Sequence, residues 1–220
     1  MSKLRNKRIL ITAGPTWVPI DKVRVITNIF KGTLGMVIAR EALKRGARVT
    51  LLMGPGGSLL TEIPSLKVIP FKFFDELYKL MKKEIFSKKY DIVIHSAAVA
   101  DFKPIKTEPG KISSQKEELL IKLKPTVKIV DRIKKWDKNV FLVKFKVEYN
   151  INKKELLKKA HQSMLSSSAD LMVANDLKEI KEKTHKAFII DQNKNVIFCQ
   201  TKEEIAKNLL ELLSRKIRFG

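Results

Sequence analysis

A single cysteine, Cys199, stands in 220 residues, so no internal disulfide can form. The three histidines, His95, His161 and His185, are scattered, and no Cys/His group has metal-ligand spacing. No apolar run approaches the ~18 residues of a membrane-spanning helix. The start, MSKLRNKRILITAG, has too short an apolar stretch for a secretory signal. A soluble, cytoplasmic protein with no protein-held metal is therefore expected. Aromatic residues make up only 7%, and no stacking motif accompanies the basic residues. This counts against a nucleic-acid-binding protein despite a net charge of +22. The lysines are spread along the chain with acids between them, which fits a solvated lysine-rich surface. The charge also suits phosphorylated small molecules.

Two nucleotide signatures are missing as well. The dinucleotide fingerprint needs G-x-G-x-x-G between the first strand and its helix, and an acid ending the second strand. Here Gly14 is followed by Pro15, the next glycine is Gly32, and the second strand ends Met53-Gly54-Pro55. The phosphate-loop pattern G-x-x-x-x-G-K-[ST] does not occur. Y-x-x-x-K, the short-chain dehydrogenase pair, occurs at Tyr78/Lys82 and Tyr149/Lys153, as chance allows in so lysine-rich a chain. An NAD(P)-dependent short-chain oxidoreductase stays open as the alternative reading.

What the chain does have is alternation. Hydrophobic residues reach 44%, enough for a core. Strand-length apolar runs fall at 8–13, 48–53, 67–71, 91–97, 140–145 and 170–174. Helical periods fall at 35–45 (Val37, Ile38, Ala42 and Leu43 inward), 74–87 (Leu77, Leu80, Met81 and Ile85 inward), 126–136 and 153–166. A hairpin at 186–191 and 195–199, turning at Asn193–Lys194, precedes a closing helix at 202–216. The expectation is one α/β domain over 1–220: a Rossmann-like, doubly wound, mainly parallel sheet with helices on both faces. A polar segment at about 102–124, carrying prolines and a glycine, breaks the alternation after the fourth strand and reads as a flap. Within it, 119–123 could form a strand.

Seven of the nine glycines precede residue 58, at the ends of the first two strands and the start of the first helix. Glycine there permits positive φ and close backbone approach, and a helix N-terminus attracts phosphate. A ligand with several phosphates is expected. Three patches would converge at strand ends: 11-ITAGPTWVPIDKVRVITN-28, 95-HSAAVADFKP-104 and 172-MVANDL-177. Small Ser96, Ala97 and Ala98 leave room for a flat ring, and Asp101 offers a carboxylate.

Together these patches resemble the phosphopantothenate–cysteine ligase family of coenzyme A biosynthesis. The family pattern T-[SA]-G-G-T-x-x-P-[IL]-D-x-V-R-x-[IL]-[ST]-N matches TAGPTWVPIDKVRVITN. A-A-V-A-D-[FY]-x-P matches AAVADFKP, a G-F-x-x-E-T-like strand matches KFKVEY at 144–149, and V-A-N-D falls at 173–176. The resemblance runs from residue 8 to about 177. In many bacteria and archaea this module is fused to a flavin-dependent decarboxylase, and the ligase step alone is expected here. The resemblance implies attack of the 4′-phosphopantothenate carboxylate on CTP or ATP, with Mg²⁺ carried by the triphosphate. L-cysteine then attacks the acyl-nucleotide. It implies that Asn28 holds the acyl intermediate and that the flap lysine, Lys111, closes over the triphosphate; these are the expected catalytic residues. It places Gly14, Ser96, Ala97, Ala98, Asp101, Lys111 and Phe145 at the nucleotide, and Arg24, Asn28, Lys31 and Gly32 at the substrate. A homodimer is implied too, with the flap near the partner.

The sequence departs from the pattern at four places. Pro15 replaces the second glycine of G-G-T and removes an N–H. Asn28-Ile29-Phe30-Lys31-Gly32-Thr33-Leu34-Gly35 stands where many relatives have N-H-S-S-G-K-M-G. Lys128 stands where CTP-using relatives carry the acid of K-N-P-D-I. Ser163 and Ser167 stand where they have two lysines, for which Lys158 or Lys159 could substitute from one turn away.

Overall fold

The structure, a computed structural model, describes residues 4–56, 63, 65–115 and 117–217. The chain opens with β1 (Arg8–Ala13), a hairpin of β2 (Trp17–Pro19) and β3 (Val25–Thr27), and α1 (Thr33–Lys44). Then come β4 (Arg48–Met53), β5 (Lys67–Pro70), α2 (Phe74–Phe86) and β6 (Ile92–His95). A ribbon of β7 (Phe102–Pro104) and β8 (Leu123–Pro125) brackets the flap. There follow α3 (Val130–Trp136), β9 (Phe141–Glu148), α4 (Lys153–Ser166), β10 (Leu171–Asp176), β11 (Ala187–Asp191), β12 (Val196–Cys199) and α5 (Lys202–Lys216).

Among the described residues, eight strands form one sheet in the order β12-β11-β10-β9-β6-β1-β4-β5. The pairings from β5 to β10 are parallel, and β11 and β12 add antiparallel at the far edge. Strand period two divides the core. Ile9, Ile11 and Ala13 of β1 face α1 and α5, packing with Ile38, Ala42, Leu209 and Leu213. Leu10 faces the other layer, with Leu77 and Met81 of α2, Ile133 of α3, and Leu156 and Met164 of α4. Helices thus cover both faces, and β1 and the parallel strands beside it are apolar on both sides.

Several boundaries differ from the sequence reading. β6 ends at His95 and not at 97; Ser96 N still bonds to Thr12 O of β1, and Ala98 N bonds to Gly14 O beyond it. β9 and β10 continue to Glu148 and Asp176. α3 starts at Val130 rather than 126: Thr126 donates its N–H to Asp101 O at 2.9 Å and its hydroxyl to Ala100 O at 2.6 Å, which holds it outside the helix. The flap strand falls at Leu123–Pro125 and pairs with β7, so 119–122 stay outside it. In α1 the buried residues are Gly35, Ile38, Ala39 and Ala42, with Val37 and Leu43 only flanking the core. In α2, Leu80 is partly buried while Phe74 and Glu84 are buried. The β2–β3 hairpin has no counterpart in the sequence reading.

Candidate active site

Across the sheet the chain progresses outward in both directions from the pair β1 and β6. Such a reversal leaves a crevice at the carboxyl ends of the strands, where ligands of open α/β sheets bind. A cavity of about 650 Å³ lies there.

Its first wall is made of backbone and small side chains. Beyond β1 and β6 the two segments stay laced together. Ser96 Oγ donates to Thr12 O at 2.6 Å, Ala97 N to Thr12 Oγ1 at 3.1 Å, Ala98 N to Gly14 O at 3.0 Å, and Thr16 N to Ala98 O at 3.2 Å. Gly32 enters α1 at φ +76°, and a Cβ there would stand 2.4 Å from Gly14 N. A Cβ on Gly35 would stand 2.6 Å from Ala13 Cβ and 2.8 Å from Ser96 Oγ. These glycines therefore serve close packing of the turn on β1 first. The same packing brings the open end of α1 to the cavity. Met36 N to Gly32 O is the bond from the N-cap, so the N–H groups of Thr33, Leu34 and Gly35 precede it, and all three residues line the cavity. No side chain caps this end. Such a terminus favours an anion. Gly57, part of the glycine grouping, lies outside the described residues.

Asn28 follows β3 and lines the cavity. Its Nδ2 donates to Ala98 O at 2.9 Å, which fixes the amide and leaves one N–H and the side-chain carbonyl for a ligand. Gly14, Asn28, Lys31, Gly32, Ser96, Ala97, Ala98, Asp101 and Phe145 all line this one cavity.

Arg24 and Lys111 do not. Arg24 Nη1 donates to Asp21 Oδ2 at 2.6 Å and to Ile112 O at 3.2 Å. Asp21 is buried and also accepts from the N–H groups of Val23, Arg24 and Ile112. Those backbone donors, with the guanidinium, hold its carboxyl well below the usual carboxylate range, Ile112 N–H foremost. The Asp21–Arg24 pair is thus a clasp between the β2–β3 turn and the flap. Lys111, next to the clasp, is exposed and lines a second cavity of about 620 Å³ within the flap, beside Ile20, Ile105 and Leu120.

The sequence reading assigned no site role to the residues of the second wall, although His95, Lys128, Lys144, Lys146 and Asn175 fall in stretches it quoted. That wall is built by His95, Lys128, Asp131, Lys144, Lys146, Asn175 and His185. Burial pushes His95 down to about 4, with Lys144 a further cause. Thr12 Oγ1, which accepts from Ala97 N at 3.1 Å, is hydrogen-bonded to His95 Nδ1 at 3.0 Å. Burial likewise pushes His185 down to about 4. His185 Nδ1 is the one buried side-chain nitrogen or oxygen without a partner among the described residues. Lys128 pairs with Asp101, and Lys146 with Glu148 at 3.0 Å. Lys144 Nζ donates to Ser163 O at 2.9 Å and Ser167 Oγ at 3.3 Å, and burial lowers its pKa. Lys159 pairs instead with Glu148 and Glu155, and neither it nor Lys158 lines the cavity. The signal for Lys144 was the lysine heading KFKVEY, where the family pattern has glycine.

Fold and site together define a Rossmann-type α/β protein with an anion-favouring crevice at its topological switch point. The chain belongs to the family described as DNA/pantothenate metabolism flavoprotein C-terminal domain, whose model matches residues 4–217. It is 35% identical over 217 residues to the coenzyme A biosynthesis bifunctional protein CoaBC of Thermococcus kodakarensis, covering 97% of this chain and 52% of that protein. The chain spans about half the length of the curated CoaBC relatives. The DNA/pantothenate metabolism flavoprotein of Streptococcus pneumoniae has the same fold, with a TM-score of 0.88 and 31% identity over 95% of this chain and 99% of that one. The C-terminal domain of a CoaBC protein superposes with a TM-score of 0.80 at 27% identity, covering 98% of this chain and 97% of that one.

Proposed function

We propose that this chain is a cytoplasmic phosphopantothenate–cysteine ligase acting in coenzyme A biosynthesis. The carrying observation is the meeting, in one cavity, of the Asn28 amide fixed by Ala98 O with the uncapped N-terminus of α1. Membership of the pantothenate-metabolism family and likeness to CoaBC proteins support the reading.

The carboxylate of 4′-phosphopantothenate attacks the α-phosphorus of CTP or ATP. The bond to the bridging oxygen breaks and pyrophosphate leaves. The amine of L-cysteine then attacks the activated carbonyl, loses a proton and expels the nucleoside monophosphate. Such chemistry rests on positioning and on charge stabilisation. Asn28 offers its free N–H and carbonyl to the acyl intermediate. Ala97, Ala98 and Phe145 bound the space for the base, with Ser96, Asp101 and Gly14 beside it. Lys31 and Gly32 stand at the phosphate end, and Arg24 supports the site by clasping the flap. Lys111 is read as the flap's cation, brought to the triphosphate when the flap closes. Among the described residues no group of three or more His, Cys, Asp or Glu side chains is placed to hold a metal. Mg²⁺ is read as bound to the nucleotide phosphates.

A homodimer is proposed through the flap side, where Phe102, Ile105, Leu120 and Val127 are exposed; light scattering tests it. Among the described residues no helix is long and apolar enough to cross a membrane.

The test is pyrophosphate release with phosphopantothenate and each of the four nucleoside triphosphates, with and without cysteine. Release with CTP or ATP, and product only with cysteine, is expected. Thermal stabilisation by NAD(P) alone, with no release from any triphosphate, would overturn the reading in favour of an oxidoreductase.

A further inference from the structure

Lys144 poses a problem of charge. It lies on β9, in register with His95 of β6 and Met172 of β10, and its side chain runs between the strands and α4. Partly buried cations in proteins are generally paired. Among the described residues Lys144 has no salt bridge; its bonds go to a backbone carbonyl and a hydroxyl, Ser163 O and Ser167 Oγ. The other two lysines of this wall do have partners: Lys128 has Asp101, and Lys146 has Glu148. An ammonium has three donors. Two are used, and the residue lines the cavity.

The ammonium is also held in place. Ser163 is in the last turn of α4 and Ser167 is its C-cap, and that last turn has no basic residue of its own. The carbonyl end of the helix fixes the position of the charge. Asp131, which lines the same cavity, attracts the ammonium without forming a salt bridge with it. A located cation with a spare donor, facing an open cavity and without a bonded carboxylate, is half of an anion site. Lys146 lies two residues on and so projects from the same face of β9, about 7 Å away. Two cations at that spacing suit a chain of phosphates better than a single one.

We propose that Lys144 binds the polyphosphate of the nucleoside triphosphate, its third N–H donating to a phosphate oxygen. The identity of that anion rests on the ligase reading above. The competing source of phosphate is the phosphopantothenate substrate, and the experiment separates the two.

Lys144→Met removes the charge and the donors. Lys144→Gln removes the charge and keeps a donor for Ser163 O. Lys144→Arg keeps the charge. Thermal unfolding of each variant establishes which are folded, and Lys144→Gln serves if Lys144→Met is not. The KM for the active triphosphate is expected to rise at least about tenfold in the uncharged variants, as loss of a charge-assisted hydrogen bond implies. KM for cysteine should move less than twofold, and Lys144→Arg should recover most of the loss. Calorimetric titration with inorganic tripolyphosphate reads the same site without turnover, and its affinity should fall about tenfold in step. If the wild type turns over no triphosphate yet binds tripolyphosphate through Lys144, the ligase reading fails and the anion site stands. An unchanged KM for the triphosphate with unchanged tripolyphosphate affinity in a folded uncharged variant overturns the proposal. A rise confined to the KM for phosphopantothenate does so too.

Discussion

The two walls of the cavity are built on opposite plans. The wall formed by β1, β6 and the entry to α1 is a matter of space: Gly14, Gly32, Gly35, Ser96, Ala97 and Ala98 bring backbones together and leave their polar groups to be used. The wall formed by β9, the segment leading into α3 and the loop after β10, with His95 at the end of β6, is a matter of charge: Lys128, Lys144 and Lys146, with two histidines kept neutral by burial. The first wall tolerates almost no added atom. A ligand with a flat ring and a polyanionic tail needs both kinds of surface.

The comparison can be broken most severely at Asn28, which borders the first wall. Asn28→Ala should lower product formation by at least about 1,000-fold, if the amide stabilises the reacting acyl group. Its cost to stability should stay near 1 kcal/mol, since a single hydrogen bond to Ala98 O is lost. Steady-state turnover and urea unfolding check the two halves of this statement, and full activity in the variant would remove Asn28 from the site. Next in size is Gly32→Ala, expected to cost about 2–4 kcal/mol by urea unfolding, because positive φ and overlap with Gly14 act together. Gly56→Ala is the control: φ is also positive, at +86°, but the nearest atom to a Cβ is 3.9 Å away. It should cost about 1 kcal/mol.

The second wall is tested by pH. The folded-state pKa values of His95 and His185 lie near 4, below the ordinary 6.5. The unfolded chain therefore takes up protons first as pH falls. The stability that depends on the neutral rings is fully present above about 6.5 and is lost progressively down to about 4, by roughly 3 kcal/mol per histidine. Thermal unfolding from pH 7.5 to 4 reads this loss, and His185→Gln should remove part of the slope. A flat profile would mean that neither ring is buried neutral. The smallest catalytic effect is expected outside both walls. Lys111→Gln should lower turnover about tenfold, a charge-assisted contact's worth, with little change in melting temperature, because Lys111 is exposed. Unchanged turnover would confine the flap lysine to a surface role.

Much of the first wall was legible. Glycine and small residues at strand ends are local signals, because a turn with positive φ or a close approach excludes most side chains at that position. Gly32 and the Ser96–Ala98 run announced themselves in this way, while Asn28 was named only through the family resemblance. The clasp was not legible: Asp21 meets Ile112 N across 91 residues, and nothing in either segment declares the other. For that reason the bonds from Arg24 Nη1 to Asp21 and the flap could not be read from the sequence. The lysines hid for a different reason. With Lys and Arg at 45 of 220 residues, one more lysine carries no information until its neighbours are known. Lys158 and Lys159 stood one turn from Ser163 and Ser167 in sequence, yet the ammonium that reaches those serines comes from β9.

The sequence by itself determined the alternation of strands and helices and the place where glycines gather, because period two, period 3.6 and the steric needs of a turn are written over a few neighbouring residues. Only the tertiary structure decided which cations face the cavity and which face water, why Gly32 can be nothing larger, and that the flap is tied down by a buried carboxylate. Those depend on groups brought together over many tens of residues, where burial and pairing, not local pattern, set what a side chain does.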